Sequence, residues 1–182
     1  MSESHTVLGP TELAKAITRI AYEIDENVSD LTSAVVLGIP KRGVPLANRL
    51  AAELHNIKAE FDPIQATGQL DITMYRDDLG RHPTRTIGVT SVPDINGKTV
   101  ILVDDVLNSG RTVRAALDAI SDIGRPAAVR LAVLVDRGLR QLPIQPDFVG
   151  KNIPTSRSER VSVSLMETDG ADCVTINHAE AK

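Results

Sequence analysis

Apolar residues between positions 11 and 28 fall at Leu13, Ile17, Ile20, Ile24 and Val28, a spacing that keeps one face of a helix against a core. The run SAVVLG at 33–38 is continuously apolar and predicts a short buried strand. A polar loop, Ile39-Pro40-Lys41-Arg42-Gly43, then leads to a helix reaching about Asn56. Strands are predicted over 58–64, 70–73, 86–91 and 99–103, and a helix over 112–123 that Gly124 and Pro126 stop. AAVRLAVLV at 127–135 is another buried strand, and short segments at 148–149, 161–165 and 173–176 complete the strands. The polar residues 1–9 are expected to form a loosely held tail. Strands alternating with helices predict an α/β fold: a mostly parallel central sheet flanked by helices on both faces. Ligands in such folds gather at the C-terminal ends of the strands. Loops 39–43, 104–112 and 136–140 lie there.

At 182 residues the chain fits one domain with a sizeable core. Two Phe, two Tyr and no Trp make that core aliphatic. One cysteine, Cys173, excludes an internal disulfide, and no apolar run has the length of a signal or a membrane span, so the cytoplasm is expected. The net charge of −4 argues against a protein coated in cations. Basic charge is nevertheless concentrated: residues 111–160 carry 9 basic and 5 acidic side chains, against 10 and 15 in residues 1–110. Fourteen of the 20 cations are Arg, which suits forked contacts to phosphate. His5, His55, His82 and His178 show no metal-ligand spacing, and no structural zinc is expected.

The richest stretch is VILVDDVLNSGRT, residues 100–112. Four strand-forming residues run into Asp104 and Asp105, followed by Val106, Leu107 and a small loop, Asn108-Ser109-Gly110-Arg111-Thr112, at the start of a helix. Adjacent carboxylates accept hydrogen bonds from neighbouring ribose hydroxyls. The loop offers backbone N–H groups, two hydroxyls and the positive end of a helix to a phosphate. A plain buried strand ending in a turn would leave the two acids unexplained. A receiver-like domain also ends a strand in paired acids, but it gives the Gly110 loop no role.

This pattern resembles the phosphoribosyl diphosphate (PRPP) motif of type I phosphoribosyltransferases, with Ser109 where that family most often has Thr. The resemblance implies the type I fold with a small hood region, PRPP as substrate, and diphosphate held by the Lys41-Arg42 loop. DITMYRDDLGRHPTR, residues 71–85, is too polar for a core. It is read as a flexible lid carrying Tyr75, Arg76, Asp77, Asp78, Arg81 and Arg85, against the plainer alternative of a surface hairpin. AVLVDRGLRQLP (132–143), VGKNIPTSRS (149–158), ALDAISDIGRP (116–126) and the lid's LDITMYRDDL narrow the resemblance to the PyrR family, over residues 10–176. That implies a single phosphoribosyltransferase domain over 1–182. It also implies transfer of ribose 5-phosphate from PRPP to uracil, with Mg²⁺ held mainly through PRPP, and UMP/UTP-responsive binding of pyrimidine-gene mRNA by a homodimer or higher assembly. Asp104 and Asp105 would be catalytic, and Arg137, the backbone around Val135, and Ile153 would meet the base.

For RNA, the helical stripe Lys15, Thr18, Arg19 and Tyr22 is the candidate surface, supplemented by Arg140, Lys151 and Arg157. The resemblance assigns Thr18 and Arg19 to RNA, together with a His-Arg pair that here reads Leu139-Arg140. Tyr22 stands where that family often has His. A helix face serving only subunit contact, a sensor with little transferase activity, and a transferase without RNA binding are the alternatives.

Overall fold

The computed structural model describes residues 4–76 and 90–178. Ser4–Leu8 forms β1, and Pro10–Asn27 forms α1. Pro10 opens that helix with its φ already helical, while the Glu12 carboxylate accepts a hydrogen bond from Gly9 N at 3.0 Å. Leu13, Ala16, Ile17, Ile20, Ala21 and Ile24 are its buried stripe, as the apolar spacing predicts. Val35–Gly38 (β2), Gly43–Ile57 (α2), Pro63–Ala66 (α3) and Thr67–Gln69 (β3) follow. Thr99–Leu107 is β4, Arg111–Ile123 α4 and Ala128–Asp136 β5. Phe148–Asn152 (β6), Glu159–Ser164 (β7), Met166–Asp169 (α5) and Cys173–His178 (β8) end the described chain.

Five strands form one sheet in the order β3-β2-β4-β5-β6, every pair parallel. On β4, Ile101 and Val103 enter the core beneath α1 and α2, while Val100 and Leu102 enter the one beneath α4. This period-2 division is what a strand buried on both faces requires. Close approach dictates glycine twice at the front of the sheet. A Cβ on Gly43 would lie 2.5 Å from the Val103 carbonyl, and one on Gly38 2.5 Å from the Gly43 carbonyl. Loop 39–43 is thereby pressed onto the end of β4.

A separate antiparallel sheet, β1-β8-β7, forms the hood. Here the expected loose tail at 1–9 is corrected over residues 4–8: β1 pairs with β8 from Ser4↔Asn177 to Leu8↔Val174, so its backbone groups are satisfied by a strand about 170 residues away. The strand expected at 58–64 is also absent. Asp62 Oδ1 accepts from Ile64 N at 2.9 Å and Gln65 N at 3.2 Å, capping α3 and leaving Ile64 exposed. The ladder beside β2 is made by 67–69 rather than 70–73, which turns into a 3-10 turn at Thr73–Tyr75. Of the strand expected at 86–91, residues 86–89 lie outside the described residues, and Ser91 makes a single bridge to Gln69.

Two arginines fasten the hood to the main sheet. Arg49 on α2 forks onto Glu167 (2.8 and 2.6 Å) and Asp172 (3.0 and 2.8 Å). Arg42 forks onto Asp169 at 3.0 and 2.8 Å. Arg49→Ala removes the larger anchor. With the Arg49 pairs partly solvated, the expected loss is about 1 kcal/mol, a fall in Tm of about 2–4 °C, read by thermal denaturation.

Candidate active site and nucleic-acid surface

β4 does not stop at its apolar stretch. It carries Asp104 and Asp105 and ends only at Leu107. Val106 and Leu107, grouped from sequence with the phosphate loop, are therefore strand residues. Val106 is in register with Val135, and the Leu107 carbonyl accepts from Arg137 N at 3.1 Å. Asp104 is buried and Asp105 half-buried. Asp105 N donates to Asp104 Oδ1 at 2.9 Å, and Val106 N to Asp105 Oδ1 at 2.7 Å, which fixes both carboxylates against their own backbone. Burial pushes the Asp104 carboxyl well above the ordinary aspartate range, and the neighbouring Asp105 charge adds to the rise. Arg76 opposes it, and the Asp105 charge in turn favours the protonated Arg42. The Lys41-Arg42 loop, the beginning of the expected lid and the acidic pair are thus brought to one place. The peptide joining Pro40 to Lys41 is cis.

The phosphate loop is built as a turn into α4. Gly110 sits at φ 91° as its N-cap, a left-handed conformation that glycine adopts without strain. Ser109 Oγ accepts from Arg111 N at 3.4 Å, and the Ser109 carbonyl accepts from Gln141 N and Leu142 N at 3.0 and 3.1 Å. Arg111 Nε donates to Gln141 Oε1 at 3.1 Å. Residues 141–142, which sequence reasoning missed, therefore brace the loop from behind.

Arg137, expected at the base, is buried and directs its guanidinium to Thr155 Oγ1 (2.9 Å) and the carbonyls of Ser156 (3.1 Å) and Glu159 (2.7 Å). It thereby holds loop 155–159. Val135 is fully buried, in register with Val106 and Lys151, so its backbone belongs to the ladder. Ile153 is buried in the core that Val106 packs against. Arg140, expected to face RNA, is spent internally: on Asp136 Oδ2 (2.6 Å) and on the carbonyls of Ile144 (2.8 Å), Asn108 (3.0 Å) and Gly138 (3.2 Å). Asp136 is held below the ordinary range by Arg140 and the Gly138 N–H, which outweigh its partial burial.

Tyr75 docks on α4, its hydroxyl donating to Asp122 Oδ2 at 2.9 Å. Asp77, Asp78, Arg81, His82 and Arg85 lie outside the described residues. Lys15, Thr18, Arg19 and Tyr22 line one open groove of about 730 Å³ on α1. Arg157 lies apart from them, in a pocket of about 280 Å³ with Asn108, Ser109 and Arg140. Lys151 is exposed on β6.

The phosphoribosyl transferase domain profile matches residues 7–167. The bifunctional protein PyrR of Leifsonia xyli is 55% identical over 98% of this chain and 99% of its own. The chain belongs to the PyrR family. The PyrR of Chloroflexus aurantiacus is 56% identical over 100% of this chain and 99% of its own. Among solved structures, a hypoxanthine phosphoribosyltransferase of Trypanosoma cruzi in a ternary substrates complex superposes with a TM-score of 0.73 at 17% identity, covering 98% and 97% of the two chains. At that identity the likeness establishes the type I fold, and the mainly parallel sheet and hood agree with it. The PyrR sequences, similar from end to end, establish the family.

An acid whose folded-state pKa is raised contributes stability that is present below its unfolded pKa and lost as pH rises through the folded value. Asp104→Asn is therefore expected to gain Tm relative to wild type as pH rises above about 4, the ordinary aspartate range. Thermal melts from that pH upward check the sign.

Proposed function

We propose that this protein transfers the ribose 5-phosphate of PRPP to uracil, giving UMP and diphosphate. We further propose that, with UMP or UTP in the same pocket, it binds pyrimidine-gene mRNA and lowers expression. The observation that carries the transferase reading is the acidic pair on β4, Asp104 buried and Asp105 half-buried, set between the loop at 39–43 and the start of α4. In this reading Asp104 and Asp105 accept hydrogen bonds from the ribose hydroxyls and stabilise positive character at C1 as the C1–O bond breaks. The electron pair leaves with diphosphate, uracil N1 forms the new bond to C1, and the N1 proton is released. Asn108 to Thr112 hold the 5-phosphate through backbone N–H groups and hydroxyls. Exposed Lys41 meets the diphosphate, with Arg42 beside it.

Among the described residues no cluster of three His, Cys, Asp or Glu side chains forms a metal cage. Mg²⁺ commonly binds through one or two carboxylates plus substrate phosphates. Asp104 and Asp105 are the carboxylates that fit it, and Mg²⁺ would neutralise part of the PRPP charge. For RNA, the α1 groove supplies Lys15, Arg19, the Thr18 hydroxyl and Tyr22, an exposed ring for stacking. Pairing two such grooves in a homodimer, or a higher assembly of dimers, would concentrate cations in a protein of net charge −4. No helix among the described residues is long and apolar enough to cross a membrane, and a cytoplasmic setting suits these partners.

The test is PRPP-dependent conversion of uracil to UMP with Mg²⁺. The Asp104→Asn/Asp105→Asn variant is expected to lose about 10³-fold in turnover while keeping a cooperative melt. Undiminished turnover would refute the assignment. Titration of a pyrimidine-gene leader transcript with and without UMP reads the regulatory half.

A further inference from the structure

Arg19 faces two ways. Its Nη1 pairs with Glu23 on α1 at 2.6 Å. Its Nη2 donates to the carbonyls of Val149, at 3.1 Å, and of Gly150. Those carbonyls belong to β6, the edge strand of the parallel sheet, whose other side is held by β5. β6 has little room to move towards β5, since a Cβ on Gly150 would lie 2.5 Å from the Leu134 carbonyl. One residue further on, Lys151 is in register with Val135 and Asn152 with Asp136, and Ile153 N donates to the Asp136 carbonyl at 2.8 Å. Two of these, Val135 and Ile153, are residues that the PyrR resemblance sets against the base. Arg19 also lines the α1 groove beside Lys15, Thr18 and Tyr22. One guanidinium therefore touches both the proposed RNA surface and the strand that frames the base.

We propose that Arg19 is a positioning residue that couples the two, so that the nucleotide and the RNA sense each other through the Arg19 hold on β6. This rests on the reading of the base site and the α1 groove given above. An RNA phosphate entering the groove competes for the Arg19 donors and alters the hold on Val149 and Gly150. A base seated against residues 151–153 fixes β6 and thereby sets how Arg19 is presented to RNA. Linkage makes the effect reciprocal: the factor by which UMP strengthens RNA binding is the factor by which RNA strengthens UMP binding. Lysine cannot replace the arginine here, because an ammonium carries the charge but lacks the fork that spans Glu23 and two carbonyls.

The decisive measurement is UMP affinity of the full chain by titration calorimetry, without RNA, for wild type, Arg19→Lys and Glu23→Gln. Arg19→Lys is expected to weaken UMP binding by about fivefold or more. Glu23→Gln leaves the fork on β6 in place and is expected to match wild type. With a pyrimidine-gene leader transcript added, Arg19→Lys is expected to bind RNA with an affinity no longer raised by UMP. Unchanged UMP affinity in Arg19→Lys, or an equal loss in Glu23→Gln, overturns the proposal. Failure of wild type to bind the transcript overturns the RNA reading, while the RNA-free titration still decides the role of Arg19. Should Arg19→Lys not fold, hydrogen exchange on wild type decides: UMP must slow the amides of β6 and of the Arg19 turn of α1 together, and protection of β6 alone overturns the coupling.

Discussion

A carboxylate buried beside a second carboxylate is the constraint around which the front of this molecule is arranged. Asp104 sits on the central strand of the sheet, between β2 and β5, where water is scarce and a negative charge is costly. A lone pair of such acids would destabilise the fold with nothing in return. The protein instead surrounds them with partial compensation. The N–H of the next residue donates to each, Arg76 lies near one and Arg42 near the other. The compensation is incomplete, because Asp104 remains pushed upward. A ligand that presents hydroxyl donors and brings its own cation completes it, which is how a site can cost stability and supply binding energy in the same place.

The hood follows from the same demand. Arg42 must stand near Asp105 and must also be kept from collapsing onto it. Asp169 does this by taking the guanidinium in a fork from the other side, and accepts from Leu165 N (3.0 Å) and Thr168 Oγ1 (2.7 Å) as well. Those donors hold the Asp169 carboxyl well below the ordinary range, so it stays charged wherever the protein is folded at neutral pH. Arg49 repeats the device one helical stretch later. The small antiparallel sheet is thereby attached to loop 39–43 by charge as well as by its apolar underside, where Val161, Val163 and Val174 join the main core.

What could be read in the sequence is what depends on neighbours in the chain. The two-faced strands at 35–38, 99–103 and 128–135 announce themselves by near-continuous apolar runs, the stripe of α1 by periodicity, and the acids and Gly110 by their order. What depends on distant partners was silent. The Arg49 pair with Glu167 spans 118 residues, and that of Arg42 with Asp169 spans 127. A polar N-terminus that gains order only from β8 reads as a tail for the same reason. The misplaced strand at 58–64 had a usable signal: Asp62-Pro63 is a helix start. Arg137 and Arg140 show a further limit. Sequence can place a cation near a site, but whether its donors face the ligand or the protein's own carbonyls depends on how the turn after β5 is wound. Here Gly138 and Leu139 are both left-handed, at φ 76° and 59°.

That winding bears on how one pocket can serve two partners. Arg140 ties the carbonyl of Asn108, in the loop before α4, to Asp136 at the end of β5, so the proposed phosphate and base ends of the pocket are parts of one hydrogen-bonded frame. β6 closes that frame on the base side, and Arg19 closes β6 from the groove on α1. No element in this chain of contacts needs to travel far. A shift of an ångström at any member changes donor geometry at the next, because hydrogen bonds weaken steeply as they lengthen and bend. Arginine recurs at these joints since its planar fork can hold two acceptors at once. The same property that suits it to phosphate suits it to joining two elements at once, and fourteen of the twenty cations of this chain are arginine.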